Sequence, residues 1–316
     1  MREVILLFAG ACVLSAVFCA ILIPLLKKMH AGQYILGYVQ EHKAKSGTPT
    51  MGGLAFVAAA VAVAALAGLF ADRLSAVAVT FGTAFLGVGF LDDFLKFRFR
   101  RNLGLKAYQK ILFQLALSVI AGVFCYLNGL TYLNIPFSDL SVDIGVWIVP
   151  LSAVVFIATV NSVNLTDGLD GLAGATGFWY FASFALLVFL LAGGRTSLSD
   201  LSVILCGVLA GYLVFNTNKA SVFMGDTGSL SLGGFAAAVG VFSGNALYIV
   251  IIGIMFVLSS ISVIIQVIYY KKTKKRVFLM APLHHHFQKK GYSEAKIAYV
   301  YSLVTALAGL LCIFFV

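Results

Sequence analysis

Residues 74–100 read LSAVAVTFGTAFLGVGFLDDFLKFRFR: an uncharged apolar run to Leu91, then Asp92 and Asp93, then Lys96, Arg98 and Arg100. Such a run matches the hydrocarbon core of a bilayer, which takes about 20 residues of helix to cross. The basic residues behind it mark the cytoplasmic end of a span. Ionisable groups are costly in hydrocarbon, and at membrane depth or its edge they usually mark a functional path or site. Three more aspartates, Asp167, Asp170 and Asp226, fall at the same-side ends of other apolar runs. Lys plus Arg outnumber Asp plus Glu by 22 to 12, so five carboxylates on one face of the membrane point to a cation and a phosphate substrate.

The same pattern repeats along the chain. Of its 316 residues, 61% are hydrophobic and 11% charged, and the mean hydropathy of +1.01 excludes an ordinary soluble domain. Apolar runs near 4–26, 52–71, 74–91, 108–127, 144–161, 172–192, 201–215, 228–243, 246–269 and 295–315 predict an all-α, polytopic membrane protein with about ten transmembrane helices. All but Arg2, Arg73 and Arg195 of the 22 Lys and Arg fall in one set of alternate loops. The positive-inside bias then puts both termini outside and the basic loops in the cytoplasm. The whole chain, 1–316, reads as one transmembrane domain whose function is to be sought on the cytoplasmic side. The first span is too long to be only a signal peptide. Topology accounts for the net charge of +10, and no basic face interleaved with aromatics suggests nucleic acid. Cys12, Cys19, Cys125, Cys206 and Cys312 lie in or at the ends of apolar spans without metal spacing and read as small packing residues. The outer connector 128–143 is turn-rich and reads as a short hairpin.

Three polar clusters carry the chemistry. Adjacent residues on a helix point about 100° apart, so Asp92 and Asp93 divide their labour: one reaches a metal or nucleophile while its neighbour pairs with a base such as Lys96 or Lys110. In NSVNLTDGLDGLAG (161–174), Asn161, Asn164, Asp167 and Asp170 offer oxygen ligands and hydrogen bonds among glycines that permit close approach. A plain turn does not need so many polar groups. In NTNKASVFMGDTGSLSLGG (216–234), Asp226 lies at a Gly-rich helix start, whose N–H groups suit phosphate and whose carboxylate suits Mg²⁺. Asp226 is the leading metal ligand. His284, His285 and His286 in APLHHHFQKKGYSE lack helical zinc spacing, and Mg²⁺ favours oxygen, so they read as phosphate or sugar contacts. SGTPTMGG (46–53), with Lys45 before it, reads as a shaped turn and helix cap. His30 and His42 read as interfacial structural residues.

Together, LDDFLK, NLTDGLDGLAG and VFMGDTGSLSLGG resemble the polyprenyl-phosphate N-acetylhexosamine-1-phosphate transferase superfamily, and GTPTMGG and PLHHHF favour its muramoyl-pentapeptide branch. The resemblance runs from about Gly32 to Glu294. It implies transfer of phospho-MurNAc-pentapeptide from its UDP carrier to undecaprenyl phosphate, with Mg²⁺ as cofactor and a possible homodimer. It implies catalytic roles for Asp92, Asp93, Asp226 and His284, with Mg²⁺ on Asp226. It implies substrate contacts from Lys45, Lys110, Asn164, Asp167, Gly168, Leu169, Asp170, Asn216, Phe223, His285 and His286. The chain departs from the family pattern before His42, at Lys219, where a proline is common, and at the YVYS string near the last span. The rivals are a transferase of the same fold using UDP-GlcNAc, disfavoured by GTPTMGG and PLHHHF, and a secondary transporter, whose carboxylates should line a path near the midplane.

Overall fold

The computed structural model describes residues 2–29, 47–99, 104–217 and 219–316. Its helices follow the apolar runs: α1 (Arg2–Lys28), α2 (Gly53–Leu66), α3 (Arg73–Phe99), α4 (Ala107–Leu127), α5 (Ile148–Thr166), α6 (Leu172–Leu191), α7 (Ser197–Asn216), α8 (Gly225–Phe242), α9 (Tyr248–Ile252), α10 (Ile254–Thr273), α11 (Leu283–Lys289) and α12 (Glu294–Phe314). Among the described residues, eight helices are long and apolar enough to cross a membrane. The expected hairpin is present, with β1 (Tyr132–Asn134) antiparallel to β2 (Ser141–Asp143) and Leu133 opposite Val142. The protein is an all-α polytopic membrane protein.

Three of the expected spans take a different form. The run 52–71 is helical only through α2, after which Gly68, with φ of 73°, turns the chain into a 3-10 turn over Leu69–Ala71. The Asp72 carboxylate then accepts the N–H groups of Leu74 and Ser75 at 3.0 Å and caps α3. The run 246–269 is broken at Gly253 into α9 and α10. The eighth run is the full helix α8, yet it is not apolar enough to count among the eight.

Burial explains that exception. Every residue of α8 from Thr227 to Phe242 is buried, because α2, α3, α5 and α6 surround it. A helix that meets protein on all sides gains nothing from long apolar side chains toward lipid; small residues let its neighbours approach closely. Gly53 and Gly228 pack backbone against backbone, Gly82 leaves room for the Phe235 ring, and Gly234 for Phe85. Hydrogen bonds supplement this packing: Ser231 Oγ donates to the Gly82 carbonyl at 2.7 Å and the Tyr180 hydroxyl to the Ala236 carbonyl at 3.1 Å. On its α1 side, α7 presents Gly207 and Gly211 to the α1 backbone, where Ser15 Oγ donates to the Val208 carbonyl at 2.7 Å. All five cysteines are free thiols, four of them buried, in keeping with a packing role.

Candidate functional site

One end of the bundle gathers the carboxylates. Asp92 and Asp93 end the buried face of α3, and Asp226 stands in the first turn of α8. Gly89 on α3 faces the Asp226 backbone so closely that a methyl there would collide with its carbonyl; α8 therefore starts directly against α3. One oxygen from each of the three carboxylates lies within 4.8 Å of the others.

Each carboxylate has its own task. Asp93 is 3% exposed, and its Oδ2 accepts both the backbone N–H of Thr227 at 2.9 Å and the Thr227 hydroxyl at 2.7 Å. It holds the start of α8 in place. Asp92 Oδ1 accepts the N–H of Leu105 at 2.7 Å, while Oδ2 meets Lys96 Nζ at 2.6 Å and Lys110 Nζ at 3.1 Å. Asp226 Oδ2 meets the same two ammonium groups, Lys110 at 2.5 Å and Lys96 at 3.1 Å, and its Oδ1 accepts from Asn164 Nδ2 at 2.9 Å. The paired aspartates do face different partners: Asp92 meets both Lys96 and Lys110, while Asp93 is taken up by Thr227. Lys96 also stands 3.6 Å from Asp93, so it touches all three carboxylates, a larger part than the sequence suggested. Its spacing of four from Asp92 and three from Asp93 was the available signal.

The NLTDGLDG string forms the adjoining wall. Asn164 is in the last turn of α5 and bridges Asp226 to the Ser229 hydroxyl, 2.8 Å away. Asp167, next in the loop, is half-buried, and desolvation of its carboxyl, reinforced by the negative charges of Asp226, Asp93 and Asp170, pushes it up to about 8. Asp170 and Asn216 are buried and engaged with backbone: Asp170 Oδ2 accepts the N–H of Ala220 at 3.0 Å, and Asn216 accepts from Gly171 N at 3.1 Å and donates to the Val222 carbonyl at 2.9 Å. They tie this loop to the one before α8. Leu169 is buried beside them. Glu294 at the start of α12, not singled out in the sequence, accepts the N–H of Asp170 at 2.9 Å. Lys219 has φ of 67°, a backbone that a proline ring cannot adopt.

The GTPTMGG segment is a cradle. Phe223, half-buried, donates its N–H to the Pro49 carbonyl at 2.8 Å and accepts from Gly52 N at 2.8 Å, and Gly53 N donates to the Met224 carbonyl at 3.1 Å. The shaped turn thus braces the segment before Asp226, and Gly225, with φ of 71°, completes it where a side chain would strike Asp93. Lys45, His30 and His42 lie outside the described residues.

The histidines reach the same place from α11. A methyl on Gly168 would collide with His284 Nε2 and lie 3.1 Å from His285 Nε2, so the glycine is where the aspartate loop meets α11. His284 is fully buried against His285 and Tyr301; burial, then His285, pushes its imidazole down to about 3, so it is neutral at physiological pH. His285 Nδ1 lies 3.0 Å from Gln288 Oε1. His286 points elsewhere, its Nδ1 accepting the N–H of Leu279 at 3.1 Å.

The donor set fits a hard divalent cation. All three candidate ligands are carboxylates, and three negative charges against the two of Lys96 and Lys110 leave a net charge of −1 to be neutralised.

A glycosyl transferase family 4 model matches residues 74–244, and the first phospho-N-acetylmuramoyl-pentapeptide-transferase signature matches residues 45–57. A protein of that name from Clostridium botulinum (strain Alaska E43 / Type E3) is 41% identical over 307 residues, covering 97% of this chain and 92% of its own. Phospho-N-acetylmuramoyl-pentapeptide-transferases from Clostridioides difficile (strain 630), at 39% over 90% of this chain and 89% of theirs, and from Staphylococcus carnosus (strain TM300), at 39% over 95% of each, are similar in the same way. With the signature falling on the cradle and the larger match spanning both aspartate loops, the chain belongs to the phospho-N-acetylmuramoyl-pentapeptide-transferase family.

Proposed function

We propose that this protein transfers phospho-MurNAc-pentapeptide from UDP-MurNAc-pentapeptide to undecaprenyl phosphate, releasing UMP and forming lipid I. The observation that carries the reading is the meeting of Asp92, Asp93, Asp226, Lys96 and Lys110 at one end of the bundle, where an anionic headgroup of a membrane lipid and a soluble diphosphate can both arrive. That end is assigned to the cytoplasmic face of the bacterial inner membrane, with both termini outside and 1–316 acting as one domain; the Lys and Arg distribution supports this.

Lys96 and Lys110 hold the phosphates electrostatically, and Asn164, Asp167, Gly168 and the loop through Asp170 border the nucleotide sugar. Asp92, whose Oδ2 stands between the lysines, orients the lipid phosphate. An unesterified oxygen of that phosphate forms a bond to the sugar-linked phosphorus, and the bond from this phosphorus to the bridging oxygen breaks, its electron pair leaving with UMP. A phosphate monoester has a second pKa of about 6, so the nucleophile is already largely ionised near neutrality, and Asp92 accepts any residual proton. Asp226, with Asp92 and Asp93 beside it, is the ligand set for Mg²⁺, which when bound neutralises the diphosphate and favours departure of UMP. His284 and His285 reach the sugar side through Gly168.

The test is purified protein with Mg²⁺ and undecaprenyl phosphate, offered UDP-MurNAc-pentapeptide or UDP-GlcNAc. Lipid I formation with the first alone is expected. A GlcNAc-phospholipid product would establish the other branch, and ion flux in liposomes without turnover would overturn the enzyme reading.

A further inference from the structure

The segment from the end of α10 to α11 is fastened to α10 by two polar side chains. Gln266 Oε1 accepts the backbone N–H groups of Val277 and Phe278, each at 3.0 Å, and its Nε2 donates to the Phe278 carbonyl at 3.2 Å. One turn earlier, Ser262 Oγ accepts the N–H of Leu283 at 2.9 Å and donates to the Ser259 carbonyl at 2.6 Å. Residues four apart share a helix face, so the two form one row of clasps facing residues 277–283. Further along, the strap is knitted to α11 by Leu279 N–H, which the His286 imidazole accepts.

Between these points strap and helix stand apart. A cavity of 470 Å³ opens there, lined by Val263, Gln266, Val267, Tyr270, Arg276 and Met280 among others. Gln266 is also the one polar residue in the run ISVIIQVIYY (261–270) after Ser262, where an unpaired amide is costly. All its bonds here go to backbone of the strap. Immediately beyond the strap, His284 and His285 close on Gly168.

We propose that Gln266, with Ser262 one turn away, is a positioning residue for the nucleotide-sugar site: it clasps the strap 277–283 to α10 and so sets where His284 and His285 meet the aspartate loop. Gln266 acts through the strap and touches neither histidine. The proposal rests on the functional reading above, in which the histidines reach the sugar side. Displacements of about 1 Å in such supporting structure are enough to cost on the order of 10²-fold in rate.

The experiment uses the full-length enzyme in nanodiscs with Gln266→Leu, which keeps the size and removes all three bonds, and Gln266→Glu, which keeps the acceptor for Val277 and Phe278. Amide hydrogen exchange of 277–283 is read without substrate, with α5 as internal control. KM for UDP-MurNAc-pentapeptide, KM for undecaprenyl phosphate and kcat are read separately. For Gln266→Leu, exchange in the strap rises about tenfold or more, because all three of its bonds to Val277 and Phe278 are lost. Its KM for the nucleotide sugar rises by about tenfold, while the KM for the lipid stays within about twofold, and Gln266→Glu recovers both the protection and the nucleotide-sugar KM. Unchanged exchange in Gln266→Leu overturns the clasp. Loosened exchange with unchanged nucleotide-sugar KM overturns the positioning role alone. A parent enzyme inactive on UDP-MurNAc-pentapeptide overturns the functional reading and the positioning role together, leaving the exchange result to stand for the clasp itself.

Discussion

Asp226 is where single-residue chemistry concentrates, because its two oxygens are shared among Lys96, Lys110 and Asn164. Replacing it by Asn removes the charge but keeps an acceptor for Asn164, so the protein inserts and extracts normally while kcat falls by about 10²-fold or more; turnover at saturating Mg²⁺ within a few-fold of the parent would remove it from the ligand set. Asp167 gives the opposite kind of effect. Its folded pKa, about 8, lies above the ordinary carboxylate value, so the folded state binds the extra proton and stability falls as pH rises from about 4 toward 8. Asp167→Asn abolishes that loss, and its thermal midpoint should exceed the parent's by a margin that widens from pH 4 to pH 8 and then levels off. These carboxylates were legible in the sequence because a charge within apolar surroundings demands a reason. Gln266 and Glu294 were not, since each accepts backbone N–H groups, and backbone groups leave no mark on a sequence. Asp170 and Asn216 were legible as important, and the structure shows them bonded to backbone in joining two loops.

Contacts between elements add a constraint that motifs do not show. The loop after α5 and the short α11 touch at Gly168, where Cβ space is already taken by His284. Gly168→Ala should lower stability by about 1–3 kcal/mol through overpacking and abolish turnover. Adding His284→Ala should restore the thermal midpoint without restoring activity; a double variant as unstable as the single one would show that the glycine answers to something else. Helix existence followed directly from apolar runs, as in α1, α3 and α12. The departures are equally physical. In α2 the run of alanines and valines continues past a glycine that turns the chain left-handed, and in α9 and α10 an uninterrupted apolar string hides the break at Gly253. Hydropathy reports the medium around a segment, not whether its axis is continuous.

At the scale of the whole molecule, the orientation assignment predicts which surface each loop occupies. In a variant whose five native cysteines are replaced, Ser197→Cys at the start of α7 should react with a membrane-impermeant thiol reagent added to intact cells, and Thr273→Cys at the end of α10 only after permeabilisation. The reverse pattern would invert the topology and move the proposed site to the other side. One property of the bundle reaches back to its synthesis. The least apolar of the long helices is the innermost one, and of the helices packed against it α2, α3, α5 and α6 precede it in the chain, with the short α9 following. When α8 leaves the ribosome, the helices that form most of its slot have already been synthesised. Its serines and glycines need not partition into lipid on their own merit: they are received by earlier helices, and insertion of this segment and assembly of the charged centre at its head become a single event in biogenesis.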